Sequence, residues 1–347
     1  MKINALRDAV GEWDAGYIGD NIELTSKYLE ILNRLEFLGK HEWCNYVPAE
    51  SAAFEIGFLD RLASWIGNVD SSEDQKLLLE YAQRISFFSH QDFISLYRAA
   101  FCGPITRWVI TQAGLRFSDP HFSRKLEREL KRHTWYCPIT DSMGINEFYH
   151  ANHISGIEHR PSFSTLAMLN PINLAPDQTL LDNLKGFMKK PDRGPRRERP
   201  LKRLVLLEDF VGSGTQMKSA VKWAAQRLDI QILVVPLIIC GPGMIVLNEM
   251  IDDYPSLLTA SPVVEIGPDN LLGANGESEN TWEQRNEMED LANRLVSSHG
   301  IKEPFGYKET GCSVVTYSNV PNNSLSLIHQ KVLKNRWIPL FPRSSRA

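Results

Sequence analysis

Residues 204–216, LVLLEDFVGSGTQ, constrain this chain more than any other stretch. Four apolar residues form a β-strand that delivers Glu208 and Asp209 to its carboxyl end, where open α/β sheets hold their ligands. Gly212, Ser213, Gly214 and Thr215 follow. These are small residues whose backbone can curl so that several N–H groups point inward, and a helix starting there adds positive potential at its N-terminus. The result is an anion cradle with two carboxylates beside it. An ordinary Gly/Ser turn with helix-capping residues is the alternative reading. No lysine follows Gly214, which excludes a P-loop, and Thr215-Gln216-Met217 lacks the third glycine of a dinucleotide fingerprint.

The rest of the chain supplies the setting. From residue 21 to about 132 the periodicity is helical, with Leu24, Tyr28, Ile31 and Leu32 and then Phe54, Phe58, Leu62 and Trp65 at three- and four-residue steps. Ser71-Ser72 ahead of Glu73 and Asp74 reads as a helix start, with the helical pattern continuing from Leu77 to Phe88. Helices are also expected over 89–113 and 119–132. After His133 the pattern changes to apolar, β-branched runs at 135–139, 204–207, 232–239, 262–266 and 312–317, with helical patterns at 215–228 and 282–297. Strands alternating with helices imply a mostly parallel sheet covered on both faces.

With 347 residues, 43% of them hydrophobic, the chain can bury a real core and is expected to form two domains. Its five cysteines contain no CxxC pair, and the N-terminus lacks the apolar core of a signal peptide. The most apolar run, residues 232–240, is too short to span a membrane. A cytoplasmic protein without a membrane partner is expected. His150 and His153, with His159 further on, form too short a pattern to read as a metal site. Trp282, Met288 and Leu291 read as helix packing.

Two adjacent acids beside an anion cradle suit a ribose 5-phosphate, the loop taking the phosphate and the acids accepting hydrogen bonds from ring hydroxyls. At these residues the chain resembles the type I phosphoribosyltransferases, whose signature is an apolar strand, an acid followed by Asp, two residues, and a loop of small hydroxyl residues and glycine. Glu208-Asp209 and Ser213-Gly214 match it position by position. Phe210 replaces a smaller aliphatic, Gly212 a usual Thr or Ala, and Gln216 a hydroxyl residue that helps hold the phosphate.

The resemblance extends from about Trp135 to Arg343. It implies an α/β domain over 133–347, with a mostly parallel sheet of phosphoribosyltransferase type; the helical periodicity ahead of it is expected to form a separate all-helical domain over 1–132. It further implies catalytic roles for Glu208 and Asp209 and a substrate-binding loop of Val211, Gly212, Ser213, Gly214, Thr215 and Gln216. Asp141, Ser142 and Gly144 stand where a pyrophosphate loop belongs, although the same stretch reads equally well as a capped helix start before Asn146. The implied ligand is a phosphoribosyl compound, phosphoribosyl pyrophosphate or a nucleotide, with Mg²⁺ as cofactor and no metal-ligating side chain assigned. Chemistry would be at the ribose anomeric carbon. A catalytically inactive nucleotide sensor or scaffold is the alternative. Residues 320–343, VPNNSLSLIHQKVLKNRWIPLFPR, resemble a divergent branch of this superfamily encoded in bacterial conflict and antiphage operons, including some retron systems. That branch implies a partner, either a DNA-binding protein or a reverse transcriptase with its nucleic acid.

Between residues 185 and 203 nine Lys or Arg residues, Arg196 and Arg197 among them, face only Asp192 and Glu198, a local charge of +7 in a chain of net charge -4. Pro191, Gly194, Pro195 and Pro200 prevent a regular helix, so the stretch reads as a mobile arm. In phosphoribosyltransferases a flexible loop closes over the substrate from the corresponding place, and Arg196 and Arg197 are the candidate contacts. A solvated loop, a lid over pyrophosphate and a nucleic-acid contact all remain open readings, the last marked by steep salt dependence.

Overall fold

The structure, a computed structural model, describes residues 1–15, 26–49, 57–154, 201–273, 281–332 and 337–344. The greater part of the basic arm, with Arg196 and Arg197, lies outside the described residues, as does His159. In chain order, helices α1 (Ile3–Ala15), α2 (Lys27–His41), α3 (Phe58–Ile66) and α4 (Ser72–Ala82) lead to strand β1 (Ser86–Phe88). Helices α5 (His90–Ala100), α6 (Thr106–Gln112) and α7 (Phe122–Arg132) precede β2 (Thr134–Pro138) and α8 (Ile145–Ala151). Then come β3 (Arg203–Val211), α9 (Thr215–Arg227), β4 (Gln231–Cys240), α10 (Gly241–Asp253), β5 (Leu258–Ala260) and β6 (Val264–Ile266), and finally α11 (Arg285–His299), β7 (Val314–Thr316) and α12 (Ser326–His329). The fold is α/β with parallel strand pairing and a helical N-terminal region, consistent with a phosphoribosyltransferase-like fold. No described helix is long and apolar enough to cross a membrane.

The chain divides into two compact units, one made of Met1–Asp92 with Gly267–Ala347 and the other of Phe93–Ile266. In the second, β2, β3, β4 and β5 lie side by side in that order, and β6 pairs with the far half of β4. Every pairing in this sheet is parallel. Alternation puts Trp135, Cys137, Leu204, Leu206, Ile232 and Val234 on the face that packs against Met217 and Val221 of α9 and Leu247 of α10. On the other face Tyr136 meets the rings of Phe101, Phe148 and Tyr149. Both faces are therefore covered, as near-continuous apolar strands require. Between α5 and α6 the helix widens into a π-helical turn, Phe101–Ile105, around Pro104, which has no N–H to give to the ladder.

In the first unit the helical apolar faces close on one core that includes Leu35, Leu62, Leu79, Leu291, Trp337 and Phe341. Ser71 caps α4 as its sequence suggests, accepting the Asp74 amide. The indole N–H groups of Trp65 and Trp337 both donate to the Leu327 carbonyl, at 2.8 and 2.9 Å. Arg61 Nε donates to the Leu340 carbonyl and the Tyr46 hydroxyl to that of Pro342. The helix expected to run on through Phe88 stops at Ala82. Residues 86–88 pair in parallel with Val314–Thr316 instead, because the distant strand satisfies their backbone while Phe87 packs against Phe341 and Trp43.

Arg203 corrects the sequence reading at the end of the basic arm. It is the first residue of β3, only 4% exposed, and its guanidinium lies 3.0 Å from the buried Glu129 carboxylate. Losing one member of a buried pair leaves an uncompensated charge. Glu129→Ala should therefore cost about 3–5 kcal/mol in chemical denaturation, and the double change Glu129→Leu with Arg203→Met should recover most of that loss. A single variant as stable as the parent would show that Arg203 finds water.

Candidate functional site

Strand β2 stops pairing with β3 at Pro138, opposite Leu207, and Ile139 N–H still donates to the Leu207 carbonyl. Beyond that point the chain turns away and β3 continues to Val211 beside β4. Glu208 fills the gap. Its Oε2 accepts the Thr140 backbone N–H at 3.0 Å and its Oε1 accepts the Thr140 hydroxyl at 2.7 Å. Thr140 Oγ1 lies 2.7 Å from Ser142 Oγ, and Ser142 donates to Asp209 Oδ1 at 3.0 Å. The four side chains form one chain of contacts across the carboxyl end of the sheet.

The two acids sit in different surroundings. Glu208 is 4% exposed, whereas Asp209 is half-buried. Burial, then the neighbouring Asp209 charge, push the Glu208 carboxyl well above its ordinary 4.5, against the lowering effect of the Thr140 hydrogen bonds; Asp141 adds a weaker push upward. Asp141 itself is exposed. Gly144 caps α8, and a Cβ there would come within 2.8 Å of the Tyr97 hydroxyl, so its place is one of close packing. The stretch 141–144 is thus a helix start, and through Ser142 it also touches Asp209.

Val211, the last residue of β3, is buried with its side chain in the core, and Gly212 after it is buried too, while Thr215 and Gln216 are exposed at the first turn of α9. Ser213 Oγ lies 3.1 Å from Thr215 Oγ1. Gly214 has φ +75°, the left-handed region that glycine enters without strain, and this turns the backbone into α9. The unpaired amides at a helix N-terminus, set beyond the end of a parallel strand, suit an anion. A second glycine was missed in the sequence reading. A Cβ on Gly243, near the start of α10, would stand 2.8 Å from Val211 Cγ1 and 2.9 Å from the Gly212 carbonyl oxygen. The signal was Gly241-Pro242-Gly243 directly after an apolar strand, a start for a helix that must come close to the loop.

His150 and His153 are exposed, and no group of three or more potential metal-ligating side chains occurs among the described residues. Trp282, Met288 and Leu291 are packed in the core of the first unit. That unit also holds a cavity of about 650 Å³. Carboxylates outnumber cations in its lining, and the pairs Lys27–Glu80, Lys76–Glu73 and Arg294–Asp74 already engage the cations. Its sign is wrong for a phosphate.

Two outcomes test this geometry. Gly243→Ala should push the 211–214 loop and cost about 1–3 kcal/mol in denaturant unfolding; unchanged stability would mean that the loop is loosely held. For Glu208, the folded state keeps a proton that the unfolded chain releases above about 4.5, so its contribution to stability falls as pH rises from there through the folded-state pKa. Glu208→Gln cannot ionise and escapes that fall. Its melting temperature should gain on the parent's from acidic to alkaline pH, and a difference that does not vary with pH would contradict the raised carboxyl.

The family described as PRTase-CE matches residues 62–343, beginning well ahead of Trp135 and running through both units. No curated protein and no solved structure matches the chain. A match over most of the length, on a chain with this strand, acid pair and glycine loop, places it: the protein belongs to the phosphoribosyltransferase-like family PRTase-CE.

Proposed function

We propose that the carboxyl end of β3 binds a phosphoribosyl compound, phosphoribosyl pyrophosphate or a nucleotide, and acts at its ribose anomeric carbon. The observation that carries this reading is the placement of Asp209, half-buried and hydrogen-bonded to Ser142, on the same strand end as the Gly212-Ser213-Gly214 loop and the start of α9. The loop and helix amides hold the 5-phosphate. Asp209 accepts from the ring hydroxyls, and Glu208, whose oxygens are engaged by Thr140, stands behind it. Bond breaking at an anomeric carbon passes through an oxocarbenium-like state, so the protein need not supply a nucleophile. Holding the phosphate, the diol and the departing group in place contributes most of the effect. The 141–144 loop is the contact for pyrophosphate.

Mg²⁺ belongs to this reading as a companion of the diphosphate. The described side chains do not fit a protein-built metal shell: no group of three or more ligating side chains occurs among them, and Thr140 occupies both oxygens of Glu208. No step is assigned to the metal. The likeness of residues 320–343 to conflict-system proteins supports a role in bacterial antiphage defence, beside a partner that carries nucleic acid.

Calorimetry with phosphoribosyl pyrophosphate and Mg²⁺ tests the site. Asp209→Ala should lose binding at least tenfold, about 1.4 kcal/mol, while its thermal unfolding stays close to the parent's. Full affinity in that variant refutes the role of Asp209. A parallel assay for released pyrophosphate or base separates an enzyme from a sensor, the reading favoured by Gln216 where a phosphate-holding hydroxyl is usual: clear binding without turnover identifies the sensor.

A further inference from the structure

The contacts that join Glu208 to Asp209 do not balance if both are ionised. Three oxygen–oxygen contacts link them: Glu208 Oε1 to Thr140 Oγ1 at 2.7 Å, Thr140 Oγ1 to Ser142 Oγ at 2.7 Å, and Ser142 Oγ to Asp209 Oδ1 at 3.0 Å. A hydroxyl brings one proton and a carboxylate brings none. Two hydroxyls therefore supply two protons to three contacts. If Thr140 donates to Glu208 and Ser142 donates to Asp209, the 2.7 Å contact between the hydroxyls is left with two lone pairs facing each other. A third proton removes the conflict.

We propose that Glu208 and Asp209 share one proton through the hydroxyls of Thr140 and Ser142, which makes those two hydroxyls positioning groups and Asp209 the site's switchable, ligand-facing acid. This deepens the phosphoribosyl reading above and rests on it only for the identity of the ligand. In the resting arrangement the proton is on Glu208, the more buried acid. Glu208 donates to Thr140, Thr140 to Ser142 and Ser142 to Asp209, while the Thr140 amide holds the second Glu208 oxygen. The shift to the other arrangement is balanced. The O–H bond of Glu208 breaks as one forms on Thr140, Thr140 passes its proton to Ser142, and Ser142 passes its own to Asp209. One proton crosses, no net charge is created, and Asp209 changes from acceptor to donor.

The charges around the pair favour holding that proton. Burial first, then Asp209 and, more weakly, Asp141 oppose ionisation of Glu208, against the lowering effect of the Thr140 hydrogen bonds. A ligand hydroxyl thus meets an anion at Asp209 in the resting arrangement and a neutral acid, its proton turned towards Ser142 Oγ, in the other. Coupled acids of this kind titrate as a pair, so their behaviour belongs to the relay and not to either residue alone.

Infrared spectroscopy of the full-length chain, with ¹³C-labelled glutamate carboxyls, reads the proton directly. At near-neutral pH the parent should show a protonated-glutamate C=O band that moves with the label and is lost in Glu208→Gln, a variant whose amide keeps both contacts to Thr140. Ser142→Ala leaves a single contact supplied by the Thr140 proton alone, so its band should disappear at a lower pH than the parent's, whereas Ser142→Thr, which keeps the hydroxyl, should retain the parental titration. No protonated glutamate in the parent overturns the proposal, and so does a Ser142→Ala titration identical to the parent's. Calorimetry with phosphoribosyl pyrophosphate and Mg²⁺ on the same samples separates the two claims. An intact band with no heat of binding supports the shared proton and rejects the phosphoribosyl ligand, while binding without the band does the reverse.

Discussion

The mismatch in length between β2 and β3 governs the candidate site. As long as both strands run together, every second backbone amide of one finds a carbonyl on the other. After Leu207 that arrangement ends on one side, and β3 continues with only β4 as its neighbour. The part-buried Thr140 amide, where the chain leaves the sheet, then needs an acceptor from outside the ladder. Glu208 supplies the missing acceptor with its side chain. A residue that looks, in the sequence, like one of two equal acids thus holds the chain where it turns out of the sheet, and its neighbour Asp209 is left as the more accessible carboxylate.

Much of the α/β framework was legible because its strands are nearly continuous apolar runs. The sequence runs at 204–207 and 232–239 lie within β3 and β4, and the helix expected from Thr215 begins there. The Gly-Ser-Gly turn could be read because Gly214 needs a left-handed backbone. What escaped were relations between distant residues. Thr140 and Glu208 are 68 positions apart, and nothing local to either marks the contact. Strand β1 depends in the same way on residues 314–316, so helical periodicity alone carried the expected helix too far. Helix α10 was overlooked since its glycine-proline start resembles a loop.

The family match reaches back to residue 62 and forward to 343, so it includes residues from both compact units. Several of those residues pack the first unit. Trp337, Leu340 and Phe341 are fully buried in its core, and Asn323 Nδ2 donates to Thr310 Oγ1 and the Tyr307 carbonyl. The closing sequence that carried the sharper resemblance therefore acts, in this chain, through packing and backbone capping.

That first unit is assembled from segments separated by the whole of Phe93–Ile266. During synthesis the early helices leave the ribosome long before Trp337 is available to share the Leu327 carbonyl with Trp65. Closure of so long a loop is slow and entropically opposed. The intervening unit has β2 to β5 side by side in sequence order and can fold first as a block. The nascent chain then carries an unfinished apolar surface on its opening helices, so its exposure to chaperones and proteases is set by how quickly translation reaches the last stretch.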